Sequence, residues 1–77
     1  MHASTSTTTV VLSIVREVLA APSIGLDDDL TDHGFTSLHI MRTAARVTEQ
    51  VGVELPLAAY FDVATVADIA AAVDAQR

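Results

Sequence analysis

The chain has 77 residues and a mass of 8.1 kDa, room for one domain and no second core. Hydrophobic residues make up 51%, too many for a disordered acidic tail, so the composition predicts a small globular domain. Ten acidic residues against four arginines leave a formal charge of −6, which argues against nucleic acid and against an anionic membrane surface.

Residues 1–9, MHASTSTTT, are Ser/Thr-rich and carry no apolar period, which predicts a flexible leader followed by a single domain over residues 10–77. From Thr9 onward Val10, Val11, Ile14, Val15, Val18 and Leu19 recur at three and four residues, the stripe of a buried helix face. Pro22 should end that helix near Ala21, because it disfavours helical geometry in the residue before it. A connection of about fourteen residues follows, long against the usual 4–6, with Leu26, Leu30 and Phe35 as its expected anchors. The second helix should start at Thr36 or Ser37 and end before Gly52, which suits a C-cap position. Pro56 opens a short segment, Leu57 to Phe61, of one or two turns. Thr65 then caps a last helix, with Asp68 as the far half of a capping box and Val66, Ile69, Ala70 and Val73 as its buried face. Nothing alternates like a strand. The pattern predicts an all-α fold, a small bundle of three longer helices and one short one.

The second helix carries two apolar stripes. Ile40, Ala44, Val47 and Val51 form one face, while Leu38, Met41 and Ala45 form another about 120° away at 100° per residue. Both stripes could belong to a single wide core face. Alternatively the second is a docking surface for a partner, rimmed by Arg42, Arg46 and Glu49.

Candidate chemistry is sparse. No cysteine is present, so disulfides and thiolate metal sites are excluded and any thiol must come from outside the chain. Asp27, Asp28, Asp29, Asp32 and His33 do not fit a calcium loop, whose twelfth position, here Leu38, should be a glutamate. A solvated acidic turn accounts for them better. Ser37 with His33 or His39 lacks the strand and the G-x-S-x-G turn of a nucleophile elbow, and a bundle this small offers no deep pocket. Taken by itself, Ser37 could equally be an ordinary helix cap. No apolar run approaches a membrane span and the N-terminus lacks the order of a signal peptide, so a cytoplasmic address is expected.

The stretch Asp29-Leu30-Thr31-Asp32-His33-Gly34-Phe35-Thr36-Ser37-Leu38 resembles the attachment motif of acyl and peptidyl carrier proteins. Downstream, Val51-Gly52-Val53-Glu54-Leu55-Pro56-Leu57, Tyr60-Phe61 and Thr65-Val66-Ala67-Asp68-Ile69-Ala70 are similar to the later helices of carrier domains from nonribosomal peptide synthetases. The likeness covers residues 10–75. It implies a four-helix carrier domain with a covalent 4'-phosphopantetheine on Ser37, taken from coenzyme A. It also implies that an acyl, aminoacyl or aryl group rides on the arm as a thioester and is presented to partner enzymes of nonribosomal peptide or polyketide biosynthesis. Such a chain is no enzyme but the substrate of enzymes. Its partners would be a phosphopantetheinyl transferase, an adenylation enzyme, and condensation, ketosynthase, tailoring or thioesterase enzymes, met by a monomer. Leu38, Met41, Arg42 and Ala45 would be the docking residues. The arginines of the second helix set the chain apart from fatty-acid-synthase carriers, and the stretch Gly34-Phe35-Thr36-Ser37-Leu38-His39-Ile40-Met41 is closer in look to aryl and peptidyl carriers of siderophore and antibiotic pathways. Two positions depart from the family's habit: Thr36 stands where Asp or sometimes His precedes the serine, and Ala64 replaces a proline, which should loosen the turn before the last helix. A different class stays open, a non-covalent helical interaction module in which Ser37 is only a cap.

Overall fold

A computed structural model describes residues 4–76; Met1, His2 and Ala3 of the expected leader lie outside the described residues. Helix α1 spans Thr5–Val18 and begins earlier than the apolar period suggests, so residues 5–9 are its first turns and not a leader. Ser4 caps it, with Oγ accepting from Thr7 N at 3.2 Å. Thr7 is buried, and its hydroxyl donates to Asp74 Oδ1 at 2.6 Å, while Ser4 N donates to the other oxygen of the same carboxylate. A partner 67 positions away in sequence thus supports a threonine-rich turn that local propensity does not favour.

Helix α1 stops before Pro22 can act. Ala20 N donates to Glu17 O at 3.2 Å and Ala21 N to Arg16 O at 2.9 Å, the paired bonds of a Schellman motif, with Ala20 left-handed at φ 51°. The long connection is then pinned side chain by side chain. Ile24 is fully buried and Leu30 nearly so, Phe35 is half-buried, and Leu26, expected as an anchor, is 37% exposed. Ile24 replaces it, held also by Arg16 Nε donating to its carbonyl at 2.8 Å. Leu26 contributes backbone instead, its carbonyl accepting from Ala67 N at 3.2 Å. A 3-10 turn at Leu30–His33 ends at Gly34, whose φ of 75° suits glycine.

Helix α2 covers Ser37–Val51 and closes on left-handed Gly52, as the sequence predicts; α3 is Leu57–Phe61 and α4 Val66–Ala75. The capping box of α4 is complete: Asp68 N donates to Thr65 Oγ1 at 3.2 Å, and Asp68 Oδ2 accepts from Thr65 N at 3.2 Å. The same oxygen takes Ala64 N at 3.0 Å, and Leu30 N donates to Ala64 O at 2.9 Å. Ala64 therefore ties the turn down rather than loosening it, through an N–H that proline lacks. Among the described residues there is no strand. Helix α1 packs against α2 and α4, and α3 against α2, around Val11, Ile14, Val15, Val47, Tyr60 and Ile69. The architecture is the small four-helix bundle that the sequence predicts.

Candidate functional site

The connection delivers the chain to the head of α2 in a fixed pose. Phe35 N donates to Leu30 O at 3.2 Å, so the 3-10 turn and the residue before Thr36 hold each other. The N-cap of α2 is Thr36, in extended geometry, and Ser37 is the first helical residue. Ser37 is exposed, and among the described residues its hydroxyl has no hydrogen-bond partner. The cap alternative fails on this geometry, because the capping position belongs to its neighbour. Nor does Ser37 share a proton with a histidine. His39 Nδ1 is taken by Thr36, accepting from its N–H at 3.2 Å and lying 2.8 Å from its Oγ1.

Electrostatically the head of α2 suits an anion. The first-turn N–H groups of any helix lack intrahelical acceptors, and the dipole adds partial positive charge there. No acidic side chain occupies the first turn of α2, whereas α4 has Asp68 in its own. A phosphate esterified to Ser37 Oγ would meet those donors without displacing a carboxylate. The residues present fit such a group.

Of the two arrangements that the period leaves open for α2, the structure has the stripes on separate faces, one in the core and one in solvent. Ile40 and Val47 are buried, Ala44 and Val51 are partly buried against the core, and the fully enclosed Thr43 joins them unforeseen. Leu38 is 54% and Met41 58% exposed, and Arg42 and Ala45 are exposed beside them. Arg46 leaves the expected rim and pairs with Glu17 of α1; Glu49 stays exposed. Two further apolar side chains stand in solvent on α3, Leu57 and Phe61, which flank buried Tyr60. Periodicity in a five-residue helix is too short to reveal which face turns outward.

The acidic connection does local structural work. Asp28 Oδ2 accepts from Gly25 N at 2.7 Å, and Asp29 Oδ1 accepts from Thr31 N at 3.0 Å and Thr31 Oγ1 at 2.6 Å. The Thr31 side-chain hydrogen bond, aided by the backbone one, holds Asp29 below the usual carboxylate value. Among the described residues no three acidic or histidine side chains gather as a metal site would require. An open hollow of about 780 Å³ lies along α1 between Thr5, Leu12, Arg16, Pro22 and Leu26, and no residue of α2 lines it.

An all-α bundle with an exposed serine at the head of its second helix has the architecture that the sequence resemblance to carrier-type domains implies. Residues 9–73 match the family described as phosphopantetheine attachment site, and the chain belongs to that family. Its 4'-phosphopantetheine is the prosthetic group the family binds. The chain is 36% identical to surfactin synthase subunit 3 of Bacillus subtilis over 61 residues, 79% of this chain and 5% of that protein. It is 39% identical to a linear gramicidin synthase of Brevibacillus parabrevis over 59 residues, 77% of this chain and 1% of that protein. A dimodular nonribosomal peptide synthase of Bacillus subtilis is 37% identical over 65 residues, 84% of this chain and 3% of that protein. The chain thus spans a few per cent of the length of these relatives. No helix among the described residues is long and apolar enough to cross a membrane.

Proposed function

We propose that Ser37 is the attachment point of 4'-phosphopantetheine and that the chain carries acyl, aminoacyl or aryl groups for nonribosomal peptide assembly. One observation carries the reading: within the family match, the serine of the motif heads α2 with an exposed, unpartnered hydroxyl and no competing carboxylate in that turn. The group supplies the terminal thiol that this cysteine-free chain lacks, on a tether that raises the local concentration of its cargo at a docked enzyme. The protein's share is presentation, not catalysis: Ser37 anchors, and the first turn of α2 receives the phosphate charge. The relatives' names, surfactin and gramicidin synthases, support a peptide-assembly setting for this domain. Partners in that setting are a phosphopantetheinyl transferase, an adenylation enzyme and the condensation, tailoring or thioesterase enzymes that act on the cargo. Leu38, Met41, Arg42 and Ala45 offer them an apolar stripe with one cationic rim residue. The reading includes a cytoplasmic, monomeric chain.

Intact-mass measurement after incubation with coenzyme A and a broad-specificity phosphopantetheinyl transferase tests this. The parent should gain one arm and Ser37→Ala none. Because Thr36 occupies the cap position and the exposed Ser37 hydroxyl has no partner among the described residues, Ser37→Ala should shift stability by no more than about 0.5 kcal/mol. A mass gain that survives in Ser37→Ala would remove Ser37 from the reading.

A further inference from the structure

His39 is the side chain at the head of α2 whose contacts the carrier reading leaves unused. Thr36 N–H donates to its Nδ1 at 3.2 Å, so Nδ1 is the unprotonated ring nitrogen and the proton sits on Nε2. The Thr36 hydroxyl, 2.8 Å from the same nitrogen, must then be a donor as well. On its other side Thr36 is fixed by its carbonyl, which accepts from Ile40 N at 3.0 Å. Thr36 is thereby gripped at its N–H, its O–H and its C=O, two of the three grips coming from one imidazole. Ser37 follows Thr36 through a planar peptide, and its own side chain is held by nothing among the described residues. The direction in which the Ser37 Cα–Cβ bond leaves the helix follows the backbone of its neighbour, and the neighbour is held by His39.

We infer that His39 is a positioning residue for modification of Ser37, holding Thr36 so that the backbone carrying the serine is presented in one pose to the transferring enzyme. This rests on Ser37 being the attachment point. The glutamate or glutamine of an ordinary capping box occupies this third helical position, reaching back to the cap residue's N–H. Here an imidazole serves instead, and its single lone pair gathers two donors. In the transfer Ser37 Oγ bonds to the pantetheine-side phosphorus of coenzyme A as the pyrophosphate P–O bond breaks, adenosine 3',5'-bisphosphate leaves and the serine proton passes to the transferase. That displacement needs the oxygen in line, and a helix head allowed to wander loses turnover more than binding. Docking, by contrast, falls to exposed side chains further along α2.

The test is steady-state transfer from coenzyme A by one phosphopantetheinyl transferase to the parent, His39→Ala, His39→Gln and Ser37→Ala, at a temperature well below every variant's Tm. Losing the grip on Thr36 should cut kcat in His39→Ala by about 2- to 10-fold, the worth of one net hydrogen bond, with KM little changed. Gln at this position restores an acceptor for Thr36 N–H and should recover most of the rate. Parent-like kcat in His39→Ala, or a loss that Gln fails to restore, would overturn the inference while leaving Ser37 as the site. A role in stability alone would show as a lowered Tm with parent-like kcat, which counts against it equally. A parent chain that takes no arm, or arm transfer persisting in Ser37→Ala, would overturn the attachment reading and this inference with it.

Discussion

Ala20 shows how a single residue can sit against its own preference. With φ at 51° it occupies the left-handed region, where a Cβ costs roughly 1–2 kcal/mol. The cost is tolerated because two backbone bonds of the α1 C-terminus, from Ala20 and Ala21, depend on that turn. Glycine would make the same bonds without the clash, though it gives more entropy to the unfolded chain. Ala20→Gly should therefore stabilise the domain by about 0.5–1 kcal/mol, raising Tm by several degrees for a chain of this size. A thermal melt decides it, and a fall in Tm would mean that unfolded-state entropy outweighs the strain. The neighbouring Pro22, the natural suspect from sequence, acts one step later: it bars continuation after the helix has already closed. At the head of α2, the position of Ser37 was legible in the sequence, whereas the Thr36–His39 contact was not, because no spacing rule assigns an imidazole to a cap.

At the scale of elements, α2 turns one apolar stripe to the core and leaves the other in solvent. Val47 is fully buried on the face toward the core, so Val47→Asp would enclose a charge without a partner and should unfold a domain with so little stability to spare. Met41 is 58% exposed on the other stripe, so Met41→Glu should leave the melting curve nearly unchanged while weakening loading by a cognate adenylation enzyme. Arg42→Glu should weaken it too, with an effect that shrinks as salt rises. Equal loss of folding and loading in Met41→Glu would show that the stripe supports the fold instead. The two stripes were readable in the sequence because a helix of fifteen residues gives the period enough turns to resolve them, but whether both reach the core was decided only by the packing of α1 and α3 against α2. The start of α1 was not readable, since its threonines carry no apolar period and their support comes from Asp74 at the other end of the fold. The connection was half readable: Leu30 packs as expected, but nothing local could rank Ile24 above Leu26. That ranking is made by α4, whose Ala67 N–H claims the Leu26 backbone.

The whole molecule has an unusual composition for titration at high pH. It contains no cysteine, one tyrosine and, read along the chain, no lysine, so Tyr60 is the one side chain with an ordinary value between about 8 and 12. Its ring is buried between the helices and its hydroxyl is enclosed without a hydrogen-bond partner among the described residues. Burial pushes the phenol above its ordinary value, because the phenolate would have to form out of water. A folded value above the unfolded one means that the native state holds its proton longer. The resulting stability is complete below about pH 10, where the unfolded phenol is also neutral, and is lost as pH rises through the raised folded value. The net charge of −6 adds self-repulsion in the same direction once a further negative charge appears. Melting temperature should therefore fall steeply on the alkaline side, with phenolate absorbance rising only as the helix signal collapses. Tyr60→Phe should flatten that limb and, by removing an unsatisfied hydroxyl, raise stability near neutral pH by about 1 kcal/mol. Melts of both chains from pH 7 to pH 12 make the comparison clean, because no other tyrosine and no tryptophan obscures the absorbance. An equally steep alkaline limb in Tyr60→Phe would show that backbone or charge repulsion, and not this phenol, sets the upper pH limit of the fold.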